Sequence, residues 1–418
     1  MNEPTLEAHL QSILRFPWRA FALGLIALAA GHAAQAADAA SAPAAAKPGT
    51  ANLEAVAKSL VSAGLVTAND KVLISGGVRD EALLRNLYIE TMKVGGQPLI
   101  SLDSEKLWRR SYDEVPAQYD SQAPTLWLAL VNTFDVQLSI DVGETENIMA
   151  GTSPERMAAR AAANQPVTDA MLKKGMRSVS LGNGLYPTAA LAKTLGVPQA
   201  RLASVFWKAT AVSPEVIRTR GESLRAALVA AKEVTLTSPN GTHVTFGVMA
   251  DKGFVSDGAL TADKVKQGGA ATSTWLPAGE LLAPVTPGSA VGKVVIDKFK
   301  YQGATIEGLV LNFSKGVLTS MNARSGLPAL KAYQAYYDAA TGGKDSFSYI
   351  DLGLNPEVTL PTNSGRVVWM AAGAVTIGMG DNTGWGGANV STFNLAGPVS
   401  GATLQLDGQT VIAKGALR

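Results

Sequence analysis

Four segments in the second half of this 418-residue chain carry side chains that could do chemistry. In Trp275-Leu-Pro-Ala-Gly-Glu-Leu-Leu-Ala-Pro284 a lone carboxylate, Glu280, follows a Pro-Ala-Gly turn and sits among apolar residues. In Phe347-Ser-Tyr-Ile-Asp-Leu-Gly-Leu-Asn-Pro356 the same is true of Asp351. A carboxylate in apolar surroundings is costly unless it binds a cation or a donor. The plainer alternatives are a turn acid exposed to water at Glu280 and a cap on the Gly-Leu-Asn-Pro turn at Asp351. The third segment, Gly373–Asn382, and the fourth, Trp385–Asn394, are rich in glycine. That suits close backbone approach to a ligand, although turns use glycine in the same way. Glu280, Asp351 and Asp381, with Asn389, would offer only oxygens, the donor type that a hard divalent cation takes.

Composition removes other chemistries. The chain has no Cys and three His, two of which, His9 and His32, fall in an N-terminal leader. Thiolate metal sites, disulfides and any site needing two imidazoles in the mature chain are therefore excluded. A formal charge of +2 without a long basic block argues against nucleic acid as a partner. No Gly-x-Ser-x-Gly elbow, Walker loop or Rossmann glycine fingerprint is present, so neither a nucleotide nor, with so few axial ligands, a haem is expected. Gly182-Asn-Gly-Leu-Tyr-Pro187 ends a strand-like run, where open α/β sheets place ligands, yet it reads equally as a strand-to-helix turn. Asp103, Glu105, Trp108, Arg109 and Arg110 read as a solvated helix face, with a partner surface as the alternative.

These residues need elements to hold them. Residues 1–36 read as a signal peptide: Ala20–Ala30 is an apolar run too short for a span of roughly 20 residues, and Ala34-Gln-Ala36 is a small-x-small cleavage pattern. Export is expected, with no stable membrane span after cleavage. Residues 37–50 are an Ala/Ser/Pro tether. Residues 51–230 alternate helical spacing (Asn52–Leu65, Arg79–Val94, Ser153–Asn164) with strand-like runs at Lys71–Gly76, Gln97–Leu102, Thr125–Val131, Asp135–Asp141 and Arg177–Leu181. That order predicts an α/β domain with a mostly parallel sheet. Residues 231–418 change to a period of two, with a hairpin signal at Pro239-Asn240-Gly241 and one helix near Leu327–Ala340, predicting a β-rich domain.

Taken in order, the four segments resemble the metallo-aminopeptidase family M29 over residues 52–418. That family carries a Pro-x-Gly-Glu turn, a later Glu before Gly-x-Asn-Pro, a His within a Gly-flanked strand, and a Gly-Gly loop leading to a His-x-Asp pair. The resemblance implies an α/β domain followed by a β-rich domain, a divalent metal of unspecified identity, aminopeptidase activity on peptides, and a homodimer. Carried over residue by residue, the first Glu falls on Glu280 and is kept. The second falls on Tyr349, the strand His on Thr376, and the terminal pair on Asn394 and Ala396. His243 matches no ligand motif. Two cations roughly 3.5–4 Å apart need several anionic or imidazole ligands to offset their repulsion, and one Glu cannot supply that. Two readings follow: an exported aminopeptidase with Glu280, Asp351 and Asp381 as a rebuilt ligand set, or a non-hydrolytic relative that binds a peptide or small molecule beside Tyr349, Thr376, Asn389 and Asn394. Ring-opening iron dioxygenases are also relatives of this family, but their triad needs two His and a carboxylate, which the mature chain lacks.

Overall fold

The computed structural model describes residues 52–418 apart from 146–147, 150, 302 and 362–367; the expected leader and tether lie outside the described residues. The first region is built on α1 (Leu53–Ala63), β1 (Lys71–Gly76), α2 (Glu81–Lys93), β2 (Gln97–Leu102), α3 (Glu105–Glu114), α4 (Thr125–Thr133), β3 (Val136–Ile140), α5 (Pro154–Lys174), β4 (Arg177–Leu181), α6 (Ala189–Leu195), α7 (Gln199–Thr210) and α8 (Pro214–Ala230). Its strands form a parallel sheet in the order β2-β1-β3-β4, as the helix–strand alternation requires. Val72, Ile74, Val136, Leu138, Val179 and Leu181 form the buried face of that sheet.

The apolar run at Thr125 is a helix and not the strand its composition suggests. Short apolar runs cannot be assigned by periodicity alone. Here Val131 joins Leu73, Val167 and Met171 in a small core beneath α5, while Leu126 points to solvent. α5 also runs ten residues past the expected end, with Pro166 inside it.

The second region comprises β5 (Val234–Thr237), β6 (His243–Phe246), β7 (Phe254–Ser256), α9 (Ala262–Gln267), β8 (Ser273–Leu276), β9 (Glu280–Pro284), β10 (Val291–Tyr301), β11 (Ala304–Ser314), β12 (Val317–Asn322), α10 (Leu327–Ala339), β13 (Phe347–Gly353), β14 (Val375–Gly380), β15 (Asn394–Pro398), β16 (Thr403–Leu406), β17 (Gln409–Ala413) and β18 (Ala416–Leu417). It is mostly antiparallel. β12-β11-β10-β6-β5-β16-β17-β18 make one sheet and β15-β14-β13-β9-β7 another. The hairpin signal holds: β5 and β6 pair around Asn240, whose Oδ1 accepts from Thr242 N at 3.1 Å, and Gly241 has φ +97°. The two sheets bury a common core that includes Leu236, Val244, Ile296, Ile350, Ile377 and Leu395.

β8 lies beyond the change of period in sequence, yet it pairs in parallel with β4 as the fifth strand of the first sheet. The chain then passes a cis Leu276–Pro277 bond and enters β9 of the second. This Pro-Ala-Gly passage is clamped by the later Gly-Leu-Asn-Pro segment. Asn355 Nδ2 donates to Ala278 O at 2.7 Å and to Ala209 O at 3.1 Å, and Leu354 N donates to Gly279 O at 2.8 Å. Gly279 has φ +132°, and a Cβ there would lie 2.8 Å from Asn355 N, so only glycine allows this approach. The backbone of 370–372 is also committed to Asn355, through Asn355 N to Met370 O and Ala372 N to Asn355 O, so β14 starts only at Val375.

α8 seats against the second sheet through Gly221, where a Cβ would come within 2.5 Å of Val255 Cγ1 and 2.9 Å of Leu354 Cδ1. Overpacking of this kind costs about 1–3 kcal/mol, against a gain in helix propensity of up to about 1. Gly221→Ala is therefore expected to lower the urea midpoint. A raised midpoint would show that the seat has room.

Candidate active-site face

Strand alternation divides β9, β13, β14 and β15 into two faces. Leu281, Ala283, Ile350, Leu352, Val375, Ile377, Met379 and Leu395 point into the common core. The opposite face receives Glu280, Leu282, Tyr349, Asp351, Thr376, Gly378 and Asn394, because residues paired across antiparallel strands share a side. The fold therefore gathers one residue from each of the four chemical segments onto one surface.

Glu280 opens β9 and is 4% exposed. Trp275 Nε1, at the far side of the Pro-Ala-Gly turn, donates to its Oε2 at 2.7 Å. Asn183 also hydrogen-bonds to the carboxyl, from the turn after β4, and donates through Nδ2 to Pro277 O at 2.8 Å. Burial pushes the Glu280 carboxyl up to about 7, and the bonds from Trp275 and Asn183 only partly oppose it. Asp351, 6% exposed, lies on the adjacent strand opposite Leu282, diagonal to Glu280. Its Oδ1 has no hydrogen-bond partner among the described residues. Burial first, and the Glu280 charge second, raise it well above the ordinary carboxylate range. Two buried carboxyls this close cannot both ionise without a compensating positive charge, so near neutral pH the pair retains a proton.

The remaining candidates are placed differently. Thr376 stands opposite Asp351 on β14. Tyr349 lays its ring across Gly378, where a Cβ would lie 2.0 Å from the ring, and packs with Leu282 and Trp385 at a centroid separation of 5.6 Å. Its hydroxyl is 3.4 Å from Asn394 Oδ1, and Asn394 Nδ2 donates to Asp381 O at 3.1 Å. Asp381 turns both oxygens to its own loop: Oδ1 accepts from Thr383 N and Oγ1, and Oδ2 from Ser391 N. Asn389 locks the same loop, donating to Gly380 O at 2.6 Å and Gly343 O at 2.8 Å. Glu280 and Asp351 are thus brought together, while Asp381 and Asn389 shape the rim. Asn183 and Trp275 join the site without having been selected from sequence. The available signals were the Gly-Asn turn at the carboxyl end of a parallel strand and an indole five residues before the Glu.

These residues do not fit a pair of cations. Among the described residues no three His, Asp or Glu side chains group in a way that could hold a metal ion. One Glu280 oxygen is occupied by an indole donor, and the Tyr349 ring fills the surface over Gly378.

A family model described as thermophilic metalloprotease (M29) matches residues 50–338, which includes Glu280 but stops short of Asp351, Thr376 and Asn394. Among solved structures, wild-type AmpT from Thermus thermophilus is similar over 88% of this chain and 98% of its own, at 16% identity and a TM-score of 0.62. The 2,5-dihydroxypyridine dioxygenase from Pseudomonas putida KT2440 is similar over 88% and 96%, at 15% identity and a TM-score of 0.52. No curated protein matches the chain in sequence.

The raised carboxyls make stability depend on pH. Between the ordinary Glu value of 4.5 and about 7, the folded chain holds a proton on Glu280 that the unfolded chain has released. Stability therefore falls as pH rises through that window, and Asp351 acts in the same direction, so the fall continues until the pair has lost its last proton. Glu280→Gln keeps an acceptor for Trp275 and removes the titration. The variant is expected to lose less unfolding free energy between pH 5 and 8, by a margin on the order of 1–3 kcal/mol. Equal slopes for both proteins in urea titrations would contradict it.

Proposed function

Since this chain belongs to the thermophilic metalloprotease family M29, we propose that it is an exported member that retains the peptidase fold and binds a peptide or small molecule without hydrolysing it. The observation that carries this reading is Tyr349. It stands where the family resemblance implies a carboxylate, and its ring lies over Gly378 between Leu282 and Trp385. Thr376, Asn394 and Ala396 likewise replace ionisable ligands, leaving Glu280 held by an indole and an amide in place of a cation. The leader pattern at Ala20–Ala36 supports export.

A second reading has one observation in its favour. Asp351 Oδ1 is buried beside Glu280 and has no partner among the described residues, so the two carboxyls offer oxygens to a single hard cation. The experiment that separates the readings is metal content with turnover. The chain is soaked in zinc, cobalt, manganese or calcium, desalted, and assayed on aminoacyl-anilide and peptide substrates. The binding reading expects substoichiometric metal and no turnover above that of Glu280→Ala. About one or two equivalents, lost together with activity in Glu280→Ala, would overturn it.

We also propose a homodimer formed through the edge of the parallel sheet. β2 has a neighbour on one side only among the described strands, and Leu99 and Leu102 on it, with Ile89 and Met92 on α2, are exposed. Light scattering is expected to give twice the chain mass, reduced to one chain by Leu99→Lys with Leu102→Lys. A monomeric wild-type protein would refute the proposal.

A further inference from the structure

α10 ends beside the free edge of the larger sheet. β12 is the terminal strand of that sheet, with β11 as its one neighbour among the described strands, and a cavity of about 270 Å³ is lined by β12 and the end of α10. The strand is irregular at this point. Phe313 pairs with Leu318 and Asn312 with Ser320, so Thr319 is left over as a bulged residue, a device that re-aims side chains at sheet edges. Leu318, Met321 and Tyr337 pack in or against the common core and supply the apolar part of the lining. Thr319, Ser320, Gln334 and Asp338 supply the polar part.

The side-chain hydrogen bonds around this cavity use up donors and leave acceptors open. Thr319 Oγ1 donates to Asn312 O at 3.1 Å, Gln334 Nε2 to Met321 O at 3.0 Å, and the Tyr337 hydroxyl to Asp345 Oδ1. The donors that remain are the second hydrogen of the Gln334 amide and the Ser320 hydroxyl, which itself accepts from Asn312 Nδ2 at 2.8 Å. Against these stand Gln334 Oε1, the Thr319 oxygen and both Asp338 carboxylate oxygens, all able to accept.

Asp338 is also placed against the preference of its own helix. A helix C-terminus is the negative end of the backbone dipole, where a cation is favoured and a carboxylate opposed. α10 carries Asp338 one residue from its end and no basic residue in its last turn. Lys344 closes that terminus through the backbone, donating Nζ to Tyr337 O at 3.1 Å and to Asp338 O at 3.0 Å. Among the described residues no ion pair reaches the Asp338 carboxylate. An exposed carboxylate at the negative end of a helix, with open acceptors and an apolar wall beside it, suits a positive head bearing several N–H donors on an aliphatic stem. We propose that this cavity binds an alkylguanidinium or primary alkylammonium group, the chemistry shared by arginine and lysine side chains and by free polyamines, with Asp338 as its counter-ion. The site lies on a different sheet from Glu280 and Asp351, so it goes beyond the reading of that face and holds whether or not metal binds there.

The test is calorimetric titration of the full chain. Blocked arginine and blocked lysine (N-acetyl, C-methylamide) stand for a peptide side chain, agmatine and putrescine for a free amine, and blocked citrulline for the neutral isostere of arginine. At least one of the four cations is expected to bind saturably, with a dissociation constant of about 1 mM or below, and citrulline is not. Asp338→Asn is expected to weaken that binding about tenfold, and added salt to weaken it in the unaltered chain. Asp338→Lys, which places a cation of its own there, is expected to abolish it. Asp338→Asn should keep or raise the thermal midpoint of the ligand-free protein, because it removes a charge that the helix end opposes. No saturable binding of any cation, citrulline binding as tightly as arginine, or binding unchanged in Asp338→Asn would overturn the proposal. So would binding that survives Asp338→Lys and is lost in Glu280→Gln, which would assign the cation to the other face.

Discussion

Two carboxyl groups buried diagonally on neighbouring strands set the terms for the second half of this molecule. Glu280 and Asp351 are both nearly removed from water, and the charge on one raises the proton affinity of the other. In a family built around divalent cations such a pair would be neutralised by metal. Here the surrounding positions hold a phenol ring, a hydroxyl and a carboxamide at Tyr349, Thr376 and Asn394, which carry no charge at neutral pH. Neutralisation falls to protons and to the indole and amide donors of Trp275 and Asn183. The cost of desolvating charge, more than any single contact, decides what this face can hold.

The same residues tie the two halves of the chain together. Trp275 closes the parallel sheet, Glu280 opens the antiparallel one, and Asn355 clamps the four residues between them. A change in the turn would move the indole, the carboxyl and the sheet junction at once. This explains why the Pro-Ala-Gly and Gly-Leu-Asn-Pro segments belong together although more than seventy positions separate them: one supplies a tight backbone passage and the other its hydrogen-bond partners. The Asp381 loop extends the same economy at the rim, with Asp381 and Asn389 bonding inward to fix the turn that presents Trp385.

The polar side of the parallel sheet is a second departure from the rules that stabilise such folds. On β3 and β4 the residues alternate apolar and polar, as if the sheet had one wet face. That alternation is visible in Val136-Gln-Leu-Ser-Ile140 and Arg177-Ser-Val-Ser-Leu181. The pairing of β8 beside β4, which brings Ser273 next to Ser178 and Trp275 next to Ser180, is not, because β8 follows almost one hundred residues later.

Much of the architecture is legible in the residues because it rests on local periodicity. Strand runs ending in glycine, helical spacing, the Asn-Gly hairpin and the change to a period of two at residue 231 report short-range backbone preferences, and an α/β region followed by a β-rich one is found. The apolar neighbours of Glu280 suit a buried acid and an exposed turn acid equally, and it is the pairing of β9 between β13 and β7 that buries it. Where local signals were ambiguous the reading failed: Thr125–Thr133 is a helix because α5 packs on it, a fact held by no residue in the run. Tertiary structure alone decided that Asp351 meets Glu280 while Asp381 does not. Strand register determines which side chains share a face, and register is set by pairing between segments distant in sequence. Residue types therefore determined which chemistry this chain lacks, and the packing of remote strands decided which of the remaining groups act on one another.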